Sequence, residues 1–159
     1  MSARAAIVAG SALAALLALF AARGQEPAAA QTGDAAGAVR FTTLDVYVAS
    51  SEPLAAWQFE LAERGGRMTV VGIENGESAA FGDAPYYDLE TIQRGAADRV
   101  VVADFSLSDA ASLPVGRTRV ATVHVRLTGT AAPDYELRLI AAGNSAGEPI
   151  DAAISLGRP

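Results

Sequence analysis

Residues 121–127 read Ala-Thr-Val-His-Val-Arg-Leu, and they alternate without a break. Ala121, Val123, Val125 and Leu127 fall on one side, Thr122, His124 and Arg126 on the other. Successive side chains of a strand point to opposite faces, so a period of two marks a strand with one face buried and one in water. The same rhythm spreads outward from this segment. Downstream, Tyr135, Leu137 and Leu139 oppose Glu136 and Arg138, and Gly143, Asn144 and Gly147 turn the chain into a last strand over Ile150–Leu156. Upstream, Leu44, Val46 and Val48 oppose Asp45 and Tyr47, and Trp57, Phe59 and Leu61 oppose Gln58 and Glu60.

Turn signals separate these runs. Gly65-Gly66 precedes a strand over Met68–Ile73, Asn75-Gly76 ends it, and Leu113-Pro114-Val115-Gly116 resets the chain before the central alternation. Arg99–Phe105, with Val100, Val101, Val102 and Ala103 in succession, is expected as a central strand covered on both faces. The one helical expectation after residue 40 lies in Leu89–Ala97, where Asp88 suits an N-cap and a turn or two fits inside a loop. At least seven short strands that each bury one face imply two facing antiparallel sheets, and the uneven loop lengths suit a sandwich better than an up-and-down barrel.

The first residues have a different character. Met1–Arg4 carry a positive charge, and Ala5–Ala22 then run for 18 residues without one, the pattern of a signal peptide ending near residue 24. Small residues place cleavage after Gly24 or Ala30. An uncleaved segment of this length approaches a membrane anchor, although its alanine content weakens that reading. Residues 25–39, rich in alanine, glycine and proline, form a linker, which leaves residues 40–157 as the folded domain.

Composition narrows the chemistry. All 12 basic residues are arginine, and beyond Arg23 ten arginines face 18 carboxylates, a balance opposed to nucleic-acid binding. The absence of cysteine removes disulfides, thiolate metal sites, cysteine nucleophiles and cysteine-linked lipid. His124, the single histidine, sits on the outward side of its strand and has no G-x-S-x-G partner motif, so a hydrolytic triad is not expected. The acidic groups Asp83, Asp88 and Glu90, and Asp104 and Asp109, fall in two loops whose spacing fits surface solubility better than paired-carboxylate hydrolysis or a calcium loop. Trp57 shares the register of Phe59 and Leu61, which assigns it to the core and not to a sugar platform. The expected ligand-binding residues are Tyr86, Tyr87 and Asp88, within the long loop Phe81–Gln93.

Three stretches carry a family resemblance: Val46–Leu61, VYVASSEPLAAWQFEL; Val70–Glu77, VVGIENGE; and Leu113–Gly129, LPVGRTRVATVHVRLTG. In this order they resemble the strand segments of cohesin-like domains, of the carbohydrate-binding-module superfamily. The Tyr-Asp pair that often ends the second cohesin strand is replaced by Ala62-Glu63-Arg64, and no dockerin-like calcium repeat occurs. The resemblance implies an all-β, jelly-roll β-sandwich that is exported, non-catalytic and without a cofactor, and that binds a protein partner or a polysaccharide. The alternatives are a scaffold module of a cell-envelope assembly and, last, a small carboxylate-dependent hydrolase. No family site residue transfers to a numbered position.

Overall fold

The computed structural model describes residues 37–157. The expected signal helix and most of the linker lie outside the described residues. Eight strands follow one another: β1 (Val39–Ser50), β2 (Ala56–Glu63), β3 (Met68–Asn75), β4 (Tyr86–Tyr87), β5 (Arg99–Phe105), β6 (Gly116–Thr128), β7 (Tyr135–Gly143) and β8 (Ala152–Gly157), with one short helix, α1 (Leu89–Gln93), between β4 and β5. They form two four-stranded sheets of order β3-β6-β1-β8 and β4-β5-β2-β7, and every pairing is antiparallel.

Among these strands only the β4–β5 link stays within one sheet. Every other connection carries the chain across to the facing sheet, so neither sheet forms without the other. Gly65-Gly66 therefore joins strands of different sheets, and Gly66 turns the chain at φ +65°, which favours glycine. The alternation read from the sequence fills the space between the sheets. Val46, Val48, Val123 and Val125 from one sheet meet Phe59, Leu61 and Val102 from the other, all fully buried. Trp57 closes one end of this core as its register demands, stacked on Phe59 at 5.6 Å between ring centroids and met edge-on by Phe81 at 6.1 Å.

Two expectations change. β5 is covered on one face only: Val100, Val102 and Asp104 are buried, while Arg99, Val101 and Phe105 are exposed. The loop Phe81–Gln93 is also more ordered than its sequence suggests. A single helical turn at Ala79–Phe81 leads into it, and it holds the two-residue strand β4 and then α1, whose N-cap is Asp88 as expected.

Glu63, at the end of β2, ties two connections together. Its buried carboxylate accepts the Arg67 amide at 2.9 Å, the Arg67 guanidinium at 2.9 Å and the Asp134 amide at 3.3 Å. Burial pushes its pKa up, but the bonds from Arg67, Asp134 and Gly65 outweigh burial and bring it down to about 2. A carboxylate held below its unfolded value stabilises the fold above about pH 4.3 and loses that contribution as the pH falls toward 2. Glu63→Gln is accordingly expected to cost about 2 kcal/mol at pH 7, with the difference from wild type shrinking between about pH 4.5 and 2 in urea unfolding. At Gly76, a Cβ would collide with the Arg119 carbonyl and the Val120 backbone, so Gly76→Ala should destabilise by about 2–3 kcal/mol in the same assay.

Candidate functional site

The outer face of β4-β5-β2-β7 divides into two halves. Toward α1 it is charged: Glu60 lies between Arg99 at 3.7 Å and Arg138 at 3.6 Å, and Arg64 pairs with Glu136 at 3.2 Å. Pairs whose arginines are this exposed contribute little stability, but they leave this half electrically satisfied. The other half is apolar and shallow. Strand register sets Tyr86 beside Ala103, Ala103 beside Gln58 and Gln58 beside Ala141, while Phe105 adjoins Ala56 and Ala56 adjoins Gly143. Alanine and glycine keep the floor low, so the rings of Tyr86 and Phe105 stand at its margin.

These two rings lie 5.9 Å apart and within 10° of parallel, and Tyr86 is 63% and Phe105 53% exposed. They border a depression of about 450 Å³ that reaches Asn144 and Pro149. Large aromatic area held on rigid strands suits recognition, because little side-chain freedom is lost on contact.

The three residues expected from the sequence part company here. Tyr86 faces outward into the depression. Tyr87, opposite Val102, is half-buried against the core. Asp88 accepts the Thr91 amide at 3.1 Å and the Thr91 hydroxyl, and these bonds hold its carboxyl below the usual range. Tyr87 and Asp88 thus fasten the segment that presents Tyr86. Phe105, which stacks on Tyr86 and borders the depression, is the residue that sequence reasoning misses; the signal available for it is parity, since it ends a strand whose Val100 and Val102 point inward.

Behind the aromatic pair lies a second cleft of about 480 Å³, bordered by Phe81, Asp83, Tyr86, Asp104, Phe105 and Leu107. It brings together Asp83 and Asp104, one from each of the acidic groups that the sequence keeps apart. Asp104 points inward with Val100 and Val102 and is only 7% exposed. One carboxylate oxygen accepts the Phe105 amide at 2.8 Å, while Oδ2 has no partner among the described residues. Burial raises its pKa against the pull of the Phe105 amide, and the charge of Asp83 adds to the rise. Trp57, opposite Asp104 in the β2–β5 register, likewise leaves its buried Nε1–H without a partner among the described residues. His124 lies on the outer side of the other sheet, 3.0 Å from Glu74. Among the described residues no group of three histidine, aspartate or glutamate side chains is disposed to hold a metal ion.

No protein-family model matches the chain, and no curated protein matches it. Solved structures do. A chain of a crystallised complex of CaDoc0917 with CaCohA2 at pH 5.5 is similar with a TM-score of 0.52 at 10% identity, over 70% of this chain and 82% of that one. The seventh ScaB type I cohesin from Pseudobacteroides cellulosolvens gives 0.48 at 11% identity, over 74% and 76%. The described residues form an antiparallel two-sheet β-sandwich that shares its architecture, at 10% identity, with a chain of the CaDoc0917–CaCohA2 complex.

Proposed function

We propose that this protein is an exported, non-catalytic binding module that recognises a protein partner through the apolar half of the β4-β5-β2-β7 face. Tyr86 makes the contact together with Phe105, and Tyr87 and Asp88 hold Tyr86 in place. The observation that carries this reading is the exposed, near-parallel aromatic pair beside a floor of alanines. Isolated exposed apolar residues are ordinary, but two adjacent rings on rigid strands next to a depression form a patch of the kind that partners cover. A similar fold occurs in a complex between two named components, CaDoc0917 and CaCohA2, which supports a protein as ligand. Export rests on the charged start and 18-residue uncharged run of the sequence.

The parallel rings also favour a second reading, a polysaccharide whose sugar faces lie on Tyr86 and Phe105. One experiment separates the two. The purified protein is used to capture partners from the secreted and envelope proteins of the producing cell, beside a panel of polysaccharides, as wild type and as Tyr86→Ala/Phe105→Ala. Loss of two central aromatic contacts should weaken retention of a specific protein at least about 30-fold while far-UV circular dichroism stays unchanged. Retention of a polysaccharide alone would select the second reading, and partner capture unaffected by the double substitution would refute the assigned face.

A further inference from the structure

Five of the described arginines pair with carboxylates. Glu60 has Arg99 and Arg138, Glu63 has Arg67, Glu90 has Arg94, and Glu136 has Arg64. Asp45 reaches Arg119 through the Thr122 hydroxyl, with both hydrogen bonds at 2.7 Å. Asp83 and Asp104 share one cleft with no cationic partner among the described residues, and of the carboxylates left without one there, Asp104 alone is buried. Leaving a buried carboxylate oxygen without a partner is costly, and a second negative charge beside it adds to the cost. Removal of that cost by a bound positive charge is a source of binding energy already built into the fold.

The walls of the cleft specify what kind of cation fits. Tyr86 and Phe105 offer aromatic surface and Leu107, 91% exposed, an apolar lip. Aromatic rings attract a weakly hydrated organic cation and also cover an aliphatic stem. Among the described residues no third aspartate, glutamate or histidine joins Asp83 and Asp104 in a metal-holding group, and the apolar walls suit an organic cation better than a hydrated divalent ion. Asp104, Tyr86 and Phe105 also border the neighbouring depression, so the cleft is continuous with the contact face.

We propose that the cleft between Asp83 and Asp104 receives an arginine or lysine side chain of the protein partner, its stem against Tyr86, Phe105 and Leu107 and its charge between the two carboxylates. This inference deepens the proposed function and rests on the protein-binding reading. The partner's side chain supplies the positive charge that the buried Asp104 carboxylate lacks among the described residues.

The test titrates N-acetyl-arginine amide, and in parallel its uncharged citrulline counterpart, into the isotopically labelled protein while amide shifts are followed. Saturable shifts at Asp83, Asp104 and Phe105 are expected for the arginine probe, with citrulline at least about 10-fold weaker. Asp83→Asn and Asp104→Asn should each weaken the arginine probe at least about fivefold. Folding is checked on the same variants. Because the Asp104 pKa is raised in the folded state, its ionised form lowers stability as the pH rises, so Asp104→Asn should raise Tm at pH 7 and lose that advantage below about pH 4. Equal binding of citrulline, indifference to both substitutions, or displacement of the arginine probe by millimolar calcium chloride would overturn the inference. Partner capture lost in Tyr86→Ala/Phe105→Ala but intact in Asp83→Asn/Asp104→Asn would overturn it while leaving the contact face standing, and loss in both would support it.

Discussion

The packing of one sheet's inward residues against the other's is the constraint on which the remaining features depend. Since nearly every link between strands crosses from sheet to sheet, Val46 and Val123 cannot be buried until Phe59 and Val102 arrive opposite them. Such a chain gains little from any single hairpin, and most of its pairings span long stretches of sequence. β1 pairs with β6 along the most residues, from Val39 opposite Thr128 to Ser50 opposite Gly116, and with β8 across the longest stretch of sequence, Asp45 opposite Gly157. Loop closure precedes reward in a topology of this kind, which places it among the slower-folding classes.

The same constraint produces the site. Once Val100 and Val102 are committed to the core, period two sends Val101, Ala103 and Phe105 outward and draws Asp104 inward. The aromatic margin and the buried acid are therefore two sides of one strand. β4 adds Tyr86 by pairing with Ala103, and the Asp88 cap at the start of α1 fixes where that short strand ends.

The alternating strands are legible because each carries its own period: the inward residues of β1, of β2 and of β6 from Ala121 to Leu127 can be read from sequence, and the neighbours of Trp57 assign it to the core, whereas the register shift at Val120 reverses the parity of the first half of β6. β5 misleads because valine and alanine on its outer face imitate a doubly buried strand. β4 cannot be seen at all, since two residues have no period and their pairing partner lies beyond α1. The site is half legible. Tyr86 stands out as a loop aromatic and the parity of β5 turns Phe105 outward, but the pairing of Tyr86 with Phe105 and the meeting of Asp83 with Asp104 depend on contacts across a sheet edge that spacing along the chain does not encode. One local signal is available: an aspartate at position 104 in register with Val100 and Val102 puts a carboxylate where a core residue is due.

Hydrogen–deuterium exchange of the protein with and without its captured partner tests the central claim most directly. Slowed exchange confined to residues 56–58, 86–88, 103–108 and 141–144 is the expected result. Protection appearing instead on β3, β6 and β1, with those segments unchanged, would contradict it.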